Sequence, residues 1–342
     1  MIPFSDFMGD WLYGKDGYYS SMPNIGKKGD FATSVTTSMF FGGAIAKHFL
    51  SLIESKKLSP KTSIIEIGAH HGYLIADIVQ FLYTLKPDLL DTLKFIIVEP
   101  QENIEKAQRE YLKDSFGDEV KFTWYKSLKE FQTDEAFVVC NELFDAFVCE
   151  VVKDEKMLYV KNDKLVFDKL DDFTKQICEK YNITKGEVAK GYEEFCGDLS
   201  NAVNKCEFLT FDYGDINPRG DISLRVYKEH STYPFFSLTD FVKDKNSSKP
   251  NIKELYKKSD LTYDVNFSHL FDAMNLASFK KVGFSTQAKA LVDFGIIELL
   301  EMLKNNTSED GYRYQLSKVM QLIEPSQLGE RFRMARFQKG IK

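Results

Sequence analysis

The stretch that decides the fold reads TSIIEIGAHHGY and runs from Thr62 to Tyr73. A short β-branched run stops at Gly68, and Gly72 precedes apolar residues at helical spacing that begin with Leu74. This order predicts a strand, a tight turn and a helix. Because glycine has no Cβ, such a turn can bring backbone N–H groups and a helix N-terminus against a ligand.

A second apolar run, residues 94–98, ends at Glu99. An acidic residue at the tip of the second strand is where nucleotide-binding α/β folds hydrogen-bond a ribose diol. Together with Gly68 and Gly72, Glu99 therefore suggests an adenosyl ligand. Glu66, Gly68 and Gly72 also fit the pattern E/D-x-G-x-G-x-G of methyltransferases, with a histidine in place of the middle glycine. The alternative is a strand-turn-helix of an unrelated α/β protein.

Two further strands follow at residues 120–124 and 136–140, separated from the earlier ones by helical patterns. Strands that alternate with helices predict an α/β fold with a doubly wound, Rossmann-like and mostly parallel sheet. Ligands of such sheets lie beyond the carboxyl ends of the strands. We therefore expect Gly68, Glu99 and the segment from Asn141 to Asp145 to share one rim.

After residue 147 the pattern changes to short alternating runs broken by Lys-Asp and Asn-Asp turns. This predicts an inserted β-meander followed by helical stretches, forming a cap over the rim. The predicted domains are 1–147 with the cofactor-binding half of the core, 148–205 with the inserted cap and substrate region, and 206–342 with the remaining core. A polar surface excursion is expected at 231–259, and a long helix over 288–304.

A polar loop held by glycines precedes the core and contains Asp30, Thr33 and Ser34. These residues are candidates to close over the cofactor, and a solvated connector is the alternative.

The composition bounds the function. The net charge of −6 over 342 residues gives no electrostatic basis for binding nucleic acid or an anionic membrane. The five cysteines lack metal-binding or C-x-x-C spacing, which indicates reduced thiols and no metal site. No apolar run is long enough to span a membrane, and the first residues do not resemble a targeting segment. We expect a cytoplasmic protein with no membrane insertion.

Many short motifs, in order along nearly the whole chain, are similar to those of the MidA-type methyltransferases. This family includes the mitochondrial respiratory complex I assembly-factor protein arginine methyltransferase. The motifs include Gly29-Asp30-Phe31 with Thr33-Ser34, Glu66-Ile67-Gly68, Val98-Glu99-Pro100, Asn141-Glu142-Leu143-Phe144-Asp145-Ala146, Asp212-Tyr213-Gly214 and Asp260-Leu261-Thr262. The chain departs from the family at His70, at Phe147-Val148 and at Asp264, which stands where the family has a histidine.

The resemblance implies S-adenosylmethionine as cofactor and a guanidinium as methyl acceptor. Guanidinium is protonated near neutral pH and is a poor nucleophile, so carboxylates that localise its charge would help transfer. Glu142 and Asp145, at i and i+3, are expected on one face of a helical turn beside the rim. Asn141 is the third candidate, and its alternative role is to orient a target amine or amide, although the prolines of the corresponding motif of amino-methylating enzymes are absent. The alternative is that Asp145 caps local backbone and Glu142 is a solvated acid.

Outside this segment, Asp212 and Arg225 are expected to form a structural ion pair. His230 is expected to be a core histidine, with general base as the alternative.

The leading functional hypothesis is a protein methyltransferase acting on arginine of a respiratory-complex subunit, with a homodimer as the candidate oligomeric state. One alternative is an assembly chaperone that keeps the fold with weak catalysis. Another is a methyltransferase of small molecules.

Overall fold

The computed structural model describes residues 1–21, 33–162, 164–239 and 250–341. Its helices are α1 Phe4–Tyr13, α2 Ser34–Thr37, α3 Phe40–Glu54, α4 Tyr73–Leu85, α5 Glu102–Phe116, α6 Asp172–Tyr181, α7 Tyr192–Ala202, α8 Ile252–Leu255, α9 Phe267–Leu276, α10 Gln287–Asp293, α11 Ile296–Lys304 and α12 Glu309–Ile323. No helix in these ranges is long and apolar enough to cross a membrane.

The strands are β1 Ile2–Pro3, β2 Ser63–Ile67, β3 Lys94–Val98, β4 Phe122–Tyr125, β5 Thr133–Asn141, β6 Cys149–Lys153, β7 Lys156–Lys161, β8 Lys164–Lys169, β9 Lys185–Ala189, β10 Val203–Asp215, β11 Arg225–Lys228, β12 Ser231–Pro234, β13 Asp260–Thr262, β14 Val265–Asn266, β15 Lys280–Thr286 and β16 Phe332–Lys339. The chain packs into two compact units, which are described separately. The first holds the described residues of Met1–Ala32, Phe144–Tyr192 and Tyr213–Ala273, and the second those of Thr33–Leu143, Glu193–Asp212 and Met274–Lys342.

The second unit contains a sheet with the strand order β15-β16-β10-β5-β2-β3-β4. Strands β10, β5, β2, β3 and β4 pair in parallel, and β15 and β16 are antiparallel. Strand β2 is buried along its whole length, which is typical of a parallel strand covered by helices on both faces. Helices α3, α4, α11 and α12 share one apolar core with this sheet. The predicted doubly wound α/β fold is confirmed.

The first unit contains the predicted β-meander, in which β6, β7 and β8 pair antiparallel in sequence. Strand β1 pairs with β7 at Tyr159 and Val160, beyond the part of β7 that pairs with β6, and β9 pairs with β6. Strand β9 falls where only helices were predicted after the meander, so that part of the prediction is wrong. The segment 185–189 reads KGEVA, too short and too polar to show alternation.

Two further predictions also differ from the structure, one of a helix and one of a buried histidine. The helix expected over 288–304 is broken into α10 and α11 at Gly295, which adopts a left-handed φ of +89°. His230 is exposed in the two-residue turn between β11 and β12, where Glu229 and His230 both have positive φ. The expected core position of His230 is therefore wrong. A tight hairpin with two left-handed residues is ordinarily signalled by Asn-Gly, and that signal is missing here.

Candidate functional site

The loop between β2 and α4 is a bare backbone cradle in the second unit. Gly68 and Gly72 have φ of +70° and +80°, and Gly72 N–H donates to the Ala69 carbonyl over 2.7 Å. Gly72 precedes α4 without any side-chain cap on the helix N-terminus. The first turn of α4 therefore presents N–H groups and the positive end of the helix dipole to a ligand.

Glu66, near the end of β2, holds the two ends of this loop together. Its Oε2 accepts the Ile75 N–H over 2.9 Å, which ties the end of β2 to the first turn of α4. The side chain is 4 % exposed, and burial raises the pKa of Glu66 to about 8. A direct contact of Glu66 with the cofactor remains a prediction.

Glu99 lies at the end of β3, the strand that neighbours β2. Its Oε1 accepts the Gln101 N–H over 2.9 Å, and its Oε2 lies 3.4 Å from Gln108 Nε2. Burial raises the pKa of Glu99 to about 7. Neither Glu99 nor Glu66 has an ion pair within the described ranges. Both carboxyl groups therefore suit a ligand that brings hydroxyl groups or positive charge.

Gln108 is a site residue that sequence reasoning missed. Its Nε2 also donates to the His70 carbonyl over 2.8 Å, and its Oε1 accepts from Trp124 Nε1 over 2.9 Å. Gln108 thus joins the glycine loop, Glu99 and β4. A signal did exist, because Gln108 stands at a core position of α5 between Ile104 and Leu112, where a polar residue needs buried partners.

Asn141 and Glu142 follow the sheet at the end of β5. Asn141 Nδ2 donates to Glu142 Oε1 over 2.8 Å, while Asn141 Oδ1 is buried without a hydrogen-bond partner in the described part of the chain. Asp212 anchors the turn through its Oδ2, which accepts the Leu143 N–H over 3.1 Å. A Cβ on Gly68 would lie 3.1 Å from Leu143 Cδ1, so the turn after β5 packs against the glycine loop.

Glu142 has a left-handed φ of +52°, and the helical turn begins only at Phe144. The expected single helical face for Glu142 and Asp145 is therefore wrong. Asn141 and Glu142 belong to the second unit, and Asp145 to the first. Asp145 is 3 % exposed, and its carbonyl accepts the Tyr263 N–H over 3.3 Å.

The loop candidates show other contacts. Thr33 caps the short helix α2 through the Thr36 N–H, and Ser34 donates to Gln287 Oε1 over 2.8 Å. These contacts hold the chain entering α2, and a role of Thr33 and Ser34 in cofactor binding remains a prediction. Asp30 lies outside the described residues.

Arg225 pairs with Asp264, with 2.5 Å between Nη1 and Oδ1, and not with Asp212. The expected Asp212–Arg225 ion pair is therefore wrong. Sequence could not predict the actual pairing, because Asp264 occupies a histidine position of the family that the chain resembles.

The sequence of the chain is similar to those of known methyltransferases. The model of a family described as "Putative S-adenosyl-L-methionine-dependent methyltransferase" matches residues 44–285. The rat protein arginine methyltransferase NDUFAF7, mitochondrial, is 24% identical over 353 residues, covering 92% of this chain and 76% of its own. Its human counterpart is 23% identical over 351 residues, with 92% and 75% coverage.

Solved structures agree on the fold. A protein from Burkholderia thailandensis, described as a "likely methyl transferase" and bound to S-adenosyl-homocysteine, has a TM-score of 0.81 at 21% identity, covering 100% of this chain and 88% of that one. A native structure from the same organism has a TM-score of 0.79 at 20% identity, with the same coverage.

Proposed function

This chain belongs to the family of S-adenosyl-L-methionine-dependent methyltransferases, and from this premise we propose that it methylates arginine in a protein, namely a subunit of a respiratory complex. The names of its relatives support this acceptor, since the rat and human proteins are called protein arginine methyltransferases. The observation in the chain that carries the proposal is the pair Asn141 and Glu142, which offers acceptor oxygens where β5 ends beside the glycine loop.

The residues around the loop fit the cofactor, S-adenosylmethionine, which supplies an electrophilic methyl group on a positively charged sulfur. The uncapped start of α4 suits a carboxylate, and Glu99 suits the hydroxyls of a ribose. Glu66 and Glu99 are two buried carboxyl groups without an ion pair among the described residues, and they favour a ligand that carries positive charge.

The acceptor guanidinium needs groups that hold its N–H donors and draw its charge away from the attacking nitrogen. Asn141 Oδ1 has a free lone pair for one such donor, and the Glu142 carboxylate offers charge. The catalytic role predicted for Asp145 from the sequence stays a prediction. A positioned acceptor accelerates an in-line displacement chiefly by alignment, so the turn held by Asp212 is part of the machinery.

A second candidate function is an assembly chaperone with weak catalysis. The observation that favours it is His70, which has a left-handed φ of +45° in the cofactor loop where the methyltransferase pattern has glycine. Such a side chain costs backbone strain and occupies space beside the cradle.

The experiment uses the full chain, labelled S-adenosylmethionine and an extract of cells that lack this protein. We expect label in methylarginine of a respiratory-complex subunit, identified by mass spectrometry. Glu142→Gln should lower transfer on the order of a hundredfold and keep the affinity for S-adenosylhomocysteine. The exposed acid Glu102 gives the control, Glu102→Gln, with unchanged transfer.

Label in small molecules, or in a residue other than arginine, would refute the proposed acceptor. Cofactor binding without any transfer by the wild-type protein would favour the chaperone. Full activity of Glu142→Gln would remove Glu142 from the site.

A further inference from the structure

A buried polar cluster in the first unit is not used by the proposed methyl transfer. Strands β13 and β14 are separated by only two residues, so Thr262, Asp264 and Asn266 alternate along a nearly continuous extended stretch. Alternate residues of extended chain point to one face. Arg225 of β11 is the cross-strand partner of Thr262, and directly opposed residues share a face. Arg225 and Thr262 therefore lie on one face of the three-stranded sheet β12-β11-β13, and Asp264 joins them through its ion pair with Arg225. Asn266 follows in β14, which pairs with β10.

Arg225 uses only part of its hydrogen-bonding capacity there. Its Nη1 donates to Asp264 Oδ1, while Nε and Nη2 are buried without an acceptor in the described part of the chain. The side chain is 12% exposed, and the guanidinium carbon lies 5.0 Å from the ring centre of Tyr213 and 5.9 Å from that of Tyr227. The rings attract the charge but offer no lone pair to the N–H groups.

Thr262 on this face and Asn266 in β14 share this property. Thr262 Oγ1 and Asn266 Nδ2 are also buried without a partner. The amide orientation of Asn266 is set by its Oδ1, which accepts the Ser268 N–H over 3.1 Å. Four of the seven such atoms in the described residues thus belong to Arg225, Thr262 and Asn266, and all four can donate. Buried donors without acceptors are costly, so their concentration indicates an acceptor that the described part of the chain does not supply.

The charge balance of the cluster identifies the sign of the missing group. Asp264 is shared between Arg225 and the exposed Arg219, whose Nη1 lies 2.8 Å from Asp264 Oδ2. Two guanidinium groups against one carboxylate leave one positive charge. Glu187 packs nearby, but its oxygens accept from Ser223 N–H, Ser223 Oγ and Leu224 N–H, so it holds the chain that leads into Arg225.

We propose that Arg225, Thr262 and Asn266 form a binding site for a carboxylate group. The Nε–Nη2 edge of an arginine presents two parallel donors at the spacing of the two carboxylate oxygens, a geometry that lysine cannot reproduce. One negative charge neutralises the excess positive charge, whereas a phosphate dianion would exceed it. Both nitrogens are shielded from solvent, so the ligand reaches them only after a local opening of the structure. This inference concerns the first unit alone and does not rest on the proposed function.

The test titrates the full chain, with ¹⁵N-labelled arginine, and follows the Nε–H signals by NMR. The probes are glutarate, the blocked peptide acetyl-Ala-Glu-Ala-amide and its glutamine counterpart. We expect one arginine signal, absent in Arg225→Lys, to shift saturably with the carboxylate probes and not with the glutamine peptide. A response to glutarate alone would assign the site to free acids, and a response to both probes would include acidic side chains of peptides.

Matched variants separate this site from general surface charge. Arg225→Lys should weaken binding at least tenfold, while Arg219→Lys, which alters the other partner of Asp264, should change it less than twofold. Should Arg225→Lys fail to fold, Thr262→Val removes one of the unpartnered groups at nearly constant volume and should weaken binding about threefold. The proposal is overturned by the absence of a saturable shift in the wild-type protein. Equal losses in both arginine variants, or tighter binding of inorganic phosphate, would also overturn it.

Discussion

Two buried acidic regions of the second unit are built on opposite principles. Glu207 of β10 is fully buried, and its two oxygens accept from Arg336 Nε over 2.8 Å and Gln338 Nε2 over 2.6 Å, with His48 Nε2 at 3.1 Å. Burial alone would raise its pKa, but the hydrogen bond with His48 and the charge of Arg336 hold the pKa of Glu207 below its ordinary value. Glu66, below the glycine loop, has one backbone donor and a pKa raised to about 8.

This difference separates an acid that stabilises the fold, Glu207, from two acids that are available to a ligand, Glu66 and Glu99. The chain completes the charge and hydrogen bonds of Glu207, so nothing further is needed there. Around the loop, Glu66 and Glu99 are desolvated and form no ion pair with any residue that the structure describes, so burying them costs stability. Such an uncompensated cost is typical of binding sites, where the ligand supplies the missing partner.

Removing the charge of Glu207 should give the largest effect. Glu207→Gln keeps the shape but leaves Arg336 without its counter-ion and opposes the amide of Gln338. We expect the free energy of unfolding to fall by about 3–5 kcal/mol, measured by urea denaturation. The control is Glu135→Gln in the neighbouring strand β5, where the acid is part-exposed and bonds to Lys205 and Ser59, and where about 1 kcal/mol is expected. Similar losses in the two variants would show that the Glu207 cluster is not special.

The second prediction concerns Glu66 and the pH dependence of stability. The folded pKa of about 8 exceeds the ordinary value of 4.5, so between these values the folded protein keeps a proton that the unfolded chain releases. Stability from this group is therefore present at low pH and is lost as pH rises toward 8. Glu66→Gln, which keeps an acceptor for Ile75 N–H, should remove a decline on the order of 3 kcal/mol between pH 5 and pH 8. If the free energy of unfolding changed with pH in the same way in both proteins over this range, the raised pKa of Glu66 would be contradicted.

The third prediction tests Glu99 as the ribose ligand. Because burial raises the pKa of Glu99 to about 7, the wild-type affinity for S-adenosylhomocysteine should rise as pH increases from 6 to 8 and the carboxylate forms. Glu99→Gln should bind about tenfold more weakly at pH 8 and lose this pH dependence, since a charged acceptor holds hydroxyl donors more strongly than an amide. Calorimetric titration measures both quantities. An unchanged dissociation constant at pH 8 in the folded variant would exclude Glu99 from the ribose.

The contrast also explains what the sequence could predict. The glycine loop and the tip of β3 are local features, since Gly68, Gly72 and Glu99 each follow directly from a strand end that apolar runs reveal. The parallel sheet and its rim followed from the same runs. Turn conformations such as the left-handed φ of Glu142 were not predictable, because they depend on contacts with Phe211 and Asp212 about 70 residues away.

The contacts around Glu207 and Arg225 could not be predicted from the sequence for the same reason. Glu207 meets His48 from α3 and Arg336 from β16, and Arg225 meets Asp264 from beyond β13. No spacing of residues in the sequence predicts these partners, because they come from elements that are distant along the chain. Gln108 lies between the two cases, because its position on a core face was readable while its partners were not.

The smallest effect is expected at His70, a residue of the glycine loop whose substitution should change both the backbone strain and the affinity for the cofactor. His70 has a φ of +45°, and its carbonyl accepts from Gln108, a bond that any residue can keep. His70→Gly relieves the left-handed strain of about 1 kcal/mol but adds a similar entropy to the unfolded chain, so stability should change by less than about 1 kcal/mol. Removing the imidazole beside the cradle should raise the affinity for S-adenosylhomocysteine about threefold.

The adjacent histidine provides the control for this prediction. His71 is not left-handed, and its ring stacks on Tyr73 with 5.2 Å between ring centres. His71→Gly therefore relieves no strain and loses a contact, so it should destabilise the protein by about 1 kcal/mol without improving affinity. Calorimetry and thermal unfolding of both variants decide the matter. Equal affinities for His70→Gly and the wild-type protein would show that the imidazole does not obstruct the cofactor, and would remove the observation that favours the chaperone.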